Sequence, residues 1–231
     1  MVDVRTSMID LHFDSNTLTN PEKRSDIVNR IEELFQSHFM KRKCEGAFGE
    51  SYVVCFGNED GSLTCNLKSY PFGLITLTFE DCLDGDESFT NPKLEDIRKE
   101  LHRNFKIKIE KIPIIKRGSA VPLYFTTADE RILEYDFTQV VFQRESPYQN
   151  IKILHSPTLG NCLILDDLQN LAESDINYTH GVMKYGSISY TGKEVLILGG
   201  GDGGLLHELL KENPKFVTMV DISFLKKLFF C

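Results

Sequence analysis

Five glycines and one aspartate form an uninterrupted run, Gly199-Gly-Gly-Asp-Gly-Gly204, directly after a short apolar segment. Within this run, Gly199, Gly201 and Gly204 have the G-x-G-x-x-G spacing of a dinucleotide-binding turn. Such a turn joins a strand to a helix and brings backbone N–H groups and the helix N-terminus close to a ligand. The pattern therefore predicts nucleoside binding, although an ordinary tight turn would use the same glycines.

Two carboxylates accompany the glycines and indicate the kind of ligand. Asp221 lies 20 residues after Gly201, at the end of the next predicted strand. A carboxylate at that place can accept hydrogen bonds from ribose hydroxyls. Asp202 lies inside the loop, where it would repel a phosphate but attract a sulfonium or an ammonium group. The alternatives are a solvated strand end for Asp221 and a helix N-cap for Asp202.

The elements predicted around the loop form the start of an α/β unit. Val195–Leu198 is an apolar strand, an amphipathic helix follows the glycines, and Phe216–Asp221 is the next strand. A further helix is predicted over Tyr178–Tyr185. We therefore expect residues 175–231 to be the first β-α-β of a Rossmann-like, methyltransferase-like domain.

Two regions are predicted before this unit. Residues 1–117 show the order β-α-β-β-β-α of an α+β domain, with helices over Pro21–Met40 and after Asn91-Pro92. Asn20 is the predicted N-cap of the first helix, and a hairpin is predicted between Tyr52–Phe56 and Leu63–Leu67. The basic segment Lys106–Ala120 is predicted to be a linker. Residues 118–174 contain four short strand candidates and are expected to form a small all-β region. The first domain shows no catalytic cluster, so a structural or dimerising role is expected for it.

Composition excludes several classes of protein. The 231 residues carry a formal charge of −8 without a basic stripe, so nucleic acid is not an expected partner. An acidic surface would attract a cationic substrate, although such a charge also serves plain solubility. The six cysteines show no C-x-x-C or metal spacing and indicate reduced thiols. No signal peptide or apolar stretch long enough to span a membrane is present, which favours a cytoplasmic protein.

At this point the chain resembles the aminopropyltransferases, the family of spermidine and spermine synthases. The glycine run looks like the family's loop motif, and three further segments match in the same order along the chain. The residues of these segments and the additional α+β domain resemble those of the animal spermine synthase branch. In that branch, the first domain resembles half of S-adenosylmethionine decarboxylase and supports homodimers. The three segments are Thr127–Asp136, Ser146–Ser156 and Asn170–Tyr178.

The resemblance implies a reaction and roles for individual residues. An aminopropyl group would pass from decarboxylated S-adenosylmethionine, a co-substrate, to spermidine, giving spermine and methylthioadenosine without a metal or other cofactor. Asp202 would hold the reacting amine and Tyr178 would hydrogen-bond it. Gln149 would lie beside the adenosyl group and the aminopropyl chain, and Asp221 would bind the ribose. Without the resemblance, Tyr178 and Gln149 suggest only packing and a turn hydrogen bond.

The end of the sequence departs from the family pattern. Ser223 replaces a second acidic residue, and residues 224–231 resemble nothing in the family, so an inactive, C-terminally truncated form is expected. Truncation would leave apolar strand residues exposed, with Val195, Ile197, Val217 and Met219 expected among them. Two alternatives stay open. One is a non-catalytic protein that pairs with a full-length synthase, and the other is a small-molecule methyltransferase, which Asp202 disfavours.

Overall fold

The computed structural model of the protein describes residues 4–38, 40–82, 91–221 and 228–230. The chain divides into two compact units, residues 1–120 and 121–231. The three regions expected from the sequence, with boundaries at 117 and 174, stay a prediction. None of the helices in the described ranges is long and apolar enough to cross a membrane.

The first unit is a six-stranded antiparallel sheet with the order β2-β3-β4-β5-β1-β6. One face of the sheet packs against helices, because alternate strand residues such as Ile9 and Leu77 join helix residues such as Ile31 and Leu101 in one buried core. The strands are β1 Val4–His12, β2 Lys41–Phe48, β3 Ser51–Gly57, β4 Leu63–Ser69, β5 Leu74–Asp81 and β6 Lys108–Arg117. The helices are α1 Ser15–Thr19, α2 Pro21–Gln36 and α3 Asn91–Phe105.

Helix α2 shows how the sequence builds this core. The side chain of Asn20 accepts hydrogen bonds from the backbone N–H groups of Glu22 (3.0 Å) and Lys23 (3.1 Å), which confirms the predicted N-cap. At the other end, Phe35 packs edge-to-face on Phe56 and Phe79. The helix ends at Gln36 rather than at Met40, since the N–H groups of Ser37 and His38 bond to carbonyls three residues back instead of four.

The prediction of a linker over Lys106–Ala120 is wrong. Most of this segment is β6, the strand at one edge of the sheet, paired with β1. Its basic residues and Pro113 obscured the strand pattern, yet both are typical of edge strands. The register shifts where Thr6 pairs with Ile115 and Met8 with Ile112, so Pro113, which has no N–H, lies at an irregularity in the ladder.

The second unit begins with antiparallel strands, as the sequence predicted. A hairpin precedes a four-stranded sheet with the order β12-β11-β10-β9, and both contribute residues to a core that includes Phe125, Leu154 and Ile164. Strands β7 and β12, which are three and five residues long, were not predicted. The strands are β7 Tyr124–Thr126, β8 Ile132–Glu134, β9 Gln139–Glu145, β10 Asn150–Ser156, β11 Gly160–Leu165 and β12 Leu168–Ala172.

The strand–helix–strand unit predicted around the glycines is present. Strands β13 (Glu194–Leu198) and β14 (Phe216–Val220) pair in parallel, and α5 (Gly204–Lys211) lies between them in sequence. A short strand, β15 (Leu228–Phe230), pairs antiparallel with β14. Before β13, a 3₁₀ turn leads from β12 into α4 (Ile176–Met183).

The exposed residues of this sheet differ from the expectation. Ile197, Val217 and Met219 are buried and Val195 is half-buried, because they face α4 and α5 in a core with Met183 and Leu209. The opposite face is the exposed one, since strand residues alternate between the two faces. Leu196 and Leu198 are 61% and 77% exposed, and Val220 is exposed beside them.

Candidate active site

The glycine loop turns sharply between β13 and α5. Gly199, Gly200 and Gly203 have φ angles of 82°, 80° and 78°, a region that costs other L residues about 1–2 kcal/mol each. The N–H of Gly199 donates to the carbonyl of Val220 (2.8 Å), so the loop begins where the two parallel strands end side by side. Ligands of open α/β sheets bind at this carboxyl edge.

Asp221 is joined to the loop directly. Its Oδ2 accepts a hydrogen bond from the N–H of Gly201 at 2.8 Å. The approach is so close that a Cβ added to Gly201 would lie 2.6 Å from Asp221 Oδ1. The structure thus brings together two of the residues that the sequence singled out for a nucleoside.

Asp202 is exposed at the start of α5. Its Oδ1 accepts a hydrogen bond from the N–H of Gly204 at 2.7 Å, although the residue in the N-cap position is Gly203. This bond satisfies one of the unpaired N–H groups that every helix has at its beginning. The capping alternative is therefore compatible with the structure, and so is a carboxylate held at the loop for a cation.

Tyr178 lies in α4, next to a residue that approaches the same loop. Its neighbour Thr179 is buried, and Thr179 Oγ1 is 3.6 Å from the position that a Cβ on Gly204 would occupy. Leu171 of β12 is closer still, with Cδ2 at 2.8 Å from that position, so Gly204 allows close packing. Tyr178 itself is 70% exposed, which argues against the alternative that it only packs in the core.

Gln149 lies in the turn between β9 and β10, and it is half-buried. Its backbone N–H donates to Ser146 Oγ at 2.9 Å, and the same hydroxyl donates to the Gln149 carbonyl at 3.0 Å. These bonds hold the Gln149 backbone in its own turn. Its position beside a bound adenosyl group stays a prediction.

A buried carboxylate that sequence reasoning missed links α4 to α5. Glu208 Oε2 lies 3.1 Å from His180 Nε2, Glu208 Oε1 accepts from Lys211 Nζ at 2.6 Å, and the Glu208 side chain is only 10% exposed. The hydrogen bond from Lys211 lowers the pKa of Glu208 most, and the hydrogen bond with His180 lowers it further. A carboxylate with a lowered pKa adds stability above its unfolded-state pKa and loses it as the pH falls through the folded-state pKa.

We expect Glu208→Gln to lower the free energy of unfolding by about 1 kcal/mol, because a buried group loses its bond to the charged Lys211. The loss should shrink as the pH falls through the folded-state pKa of Glu208. Urea denaturation at two pH values measures both effects. Glu194→Gln is the control, because Glu194 forms an exposed pair with Lys215 and should change stability little. Equal losses for the two variants would contradict a role for burial.

The arrangement can bind a nucleoside with a positively charged substituent. Asp221 offers acceptors for sugar hydroxyls, and Asp202 offers a negative charge on the same glycine loop. Tyr178 adds a hydroxyl on the neighbouring helix. No three His, Cys, Asp or Glu side chains are placed to hold a metal ion within the part of the chain that the structure describes.

Comparison with known proteins finds matches within the second unit. Residues 123–173 match a family model described as "Spermidine synthase tetramerisation domain", and residues 176–224 match one described as "Spermine/spermidine synthase domain". Polyamine aminopropyltransferase 1 of Aquifex aeolicus is 37% identical over 38% of this chain and 33% of its own length. Spermidine synthase 1 of Datura stramonium is 36% identical over 39% of this chain and 29% of its own length.

Among solved structures, spermidine synthase from Thermotoga maritima is 27% identical, with a TM-score of 0.38 over 45% of this chain and 38% of that one. The chain spans about a third of the length of the curated relatives that it matches. The loop, Asp202, Asp221 and Tyr178 all lie within the segment that matches the synthase domain.

Proposed function

We propose that this chain is an aminopropyltransferase of polyamine biosynthesis whose second unit binds decarboxylated S-adenosylmethionine. The single observation that carries the proposal is the carboxylate of Asp221, bonded to the glycine loop that also contains Asp202. One carboxylate suits a ribose and the other suits a cation, and a sulfonium nucleoside has both groups. The family match of residues 176–224 supports the same assignment. The parallel strand pair would then begin a Rossmann-like, methyltransferase-like domain.

In the proposed reaction, the primary amine of the acceptor attacks the methylene carbon next to the sulfonium. A C–N bond forms, the C–S bond breaks, and sulfur keeps the electron pair, which leaves methylthioadenosine as a neutral thioether. Free alkyl ammonium groups have a pKa of about 10.4, so a carboxylate must accept a proton from the amine before the amine attacks. Asp202 would hold this amine, Tyr178 would hydrogen-bond it, and Gln149 would align the aminopropyl chain.

We propose spermidine as the acceptor and spermine as the product. Support comes from the segments Thr127–Asp136 and Asn170–Tyr178, whose residues resemble those of the animal spermine synthase branch. The curated relatives given above are named for polyamine aminopropyl transfer in general or for spermidine synthesis. Acceptor choice therefore depends on the motif resemblance.

We also propose that the chain self-associates. Sequence resemblance assigns dimerisation to residues 1–117, whereas the family model described as a tetramerisation domain matches residues 123–173. Sedimentation equilibrium of the full chain, followed by the same measurement on residues 121–231, distinguishes the two assignments. A dimer that persists without the first unit would contradict a dimer interface in residues 1–117.

Binding of methylthioadenosine tests the proposed function. We expect calorimetric titration of the 231-residue chain to show one site, and Asp221→Asn to weaken binding about tenfold, or about 1.4 kcal/mol, because a ribose acceptor loses its charge. Glu194→Gln removes an exposed charge at the start of β13 and should bind normally. A chain that self-associates but binds no nucleoside would instead support the non-catalytic interaction protein.

A further inference from the structure

Two cysteines face each other across neighbouring strands of the first unit. Cys44 of β2 and Cys55 of β3 are direct partners in the antiparallel register. Facing residues of antiparallel strands have Cα atoms about 4.5–5.5 Å apart, a separation within the range that a disulfide spans. The register therefore places the two thiols next to each other on neighbouring strands.

The pair lies on the face of the sheet away from the helices. Val54 and Phe56 are buried in the core, so Cys55 between them points to the opposite face, where it is half-buried. Cys44 is exposed on the edge strand β2. A small oxidant can therefore reach Cys44 first, and Cys55 is the thiol next to it.

We propose that Cys44 and Cys55 are a thiol pair that forms a reversible disulfide when the protein meets a peroxide. The Cys44 thiol reacts with hydrogen peroxide, which is reduced to water as sulfur becomes a sulfenic acid. The Cys55 thiol then attacks this sulfur, the S–O bond breaks, and a second water leaves as the S–S bond forms. Both oxidising equivalents come from the peroxide.

The position of the pair predicts that its disulfide is easily reduced. Facing strand residues keep their Cβ atoms about 4.5–5.5 Å apart, whereas a disulfide needs about 3.5–4.5 Å. Strand β2 must therefore move towards β3. It can do so because it pairs on one side only and its register already shifts between Arg42 and Cys44. Strained, exposed disulfides are the labile ones.

The surroundings of three other thiols make them poor candidates for this reaction. Cys65 is fully buried on the core side of β4. Cys162 is buried in the second unit, and its burial raises the pKa of the thiol to about 11. Cys82 is exposed but lies at the end of β5, away from the β2–β3 pair in sheet order, which makes it a useful control.

Mass spectrometry of the full chain after treatment with hydrogen peroxide tests the proposal. Cleavage after glutamate places Cys44 in residues 34–45, Cys55 in 51–59 and Cys65 in 60–80, so the three thiols are resolved. We expect a linked 34–45/51–59 peptide that dithiothreitol separates, in the parent chain and in Cys82→Ser alike. Cys44→Ser and Cys55→Ser should lack it. In Cys55→Ser, sulfinic acid should accumulate at Cys44 about tenfold faster, because the resolving thiol is gone.

Three results would overturn the proposal. The first is a link from Cys44 to another cysteine or to a second chain. The second is a Cys44 that stays reduced while Cys82 is oxidised. The third is sulfinic acid at Cys44 that forms equally fast with and without Cys55.

Discussion

Asp202→Asn should weaken binding of decarboxylated S-adenosylmethionine about 100-fold, or about 2.7 kcal/mol, and leave methylthioadenosine binding unchanged. The first ligand has a sulfonium and an ammonium group, whereas the second has a neutral thioether in their place. Two cations bound close together repel each other, and a carboxylate beside them offsets that repulsion. Asparagine keeps the size of the side chain but removes this charge.

The structure predicts that this substitution leaves the fold intact. The amide oxygen of asparagine can still accept the hydrogen bond that Gly204 N–H donates to Asp202 Oδ1. Calorimetry with both nucleosides, together with the thermal midpoint of the same sample, separates the two roles. If Asp202 only caps α5, both nucleosides should bind the variant as they bind the parent. A loss of both affinities would indicate damage to the loop rather than a missing charge.

Gly201→Ala should weaken binding of methylthioadenosine at least about 30-fold, or about 2 kcal/mol. The new methyl group would lie 2.6 Å from Asp221 Oδ1 and 2.7 Å from Asp221 Cγ. Asp221 would have to rotate away and lose its bond to the Gly201 N–H. The ribose acceptor and the loop donor would both be displaced, so the effect should exceed that of Asp221→Asn.

Gly181→Ala is the matched control for this variant. Gly181 lies in α4, and a Cβ added there meets no atom within 4 Å. Alanine should therefore stabilise the helix by about 0.5–1 kcal/mol and leave binding unchanged. Calorimetry measures the affinity of each variant for methylthioadenosine. A Gly201→Ala variant that binds like Gly181→Ala would show that Asp221 does not act through its contact with the loop.

Elements with strong local signals could be predicted from the sequence. The cap at Asn20, the hairpin of β3 and β4 and the strand–helix–strand around the glycines all depend on residues close together in the chain. Edge strands could not be predicted in the same way. Strand β6 contains Lys108, Lys111 and Pro113 because an edge must resist pairing with other chains, and these residues hide its alternation.

The sequence predicted the chemistry of the candidate site but not the buried residues that hold its helices together. Glycine spacing pointed to the loop and sequence distance pointed to Asp221, and a hydrogen bond joins them. Glu208 carried no signal, because a glutamate in an amphipathic helix is normally exposed. Only the packing of α4 on α5 shows that Glu208 is buried beside His180. Roles for Tyr178 and Gln149 stay predictions, since they concern ligands.

The position of β1 in the first sheet has a consequence for how this unit folds during its synthesis. Residues 4–12 lie between β5 and β6, so the earliest strand of this sheet in chain order pairs with segments that end at Asp81 and Arg117. Contacts so distant in sequence make folding slow, because the intervening chain must be ordered first. The strand that contains Ile9 and Leu11 therefore lacks its partner on one side until residues 108–117 have emerged. A nascent chain stalled before Lys108 should bind chaperones that one extended past Arg117 releases.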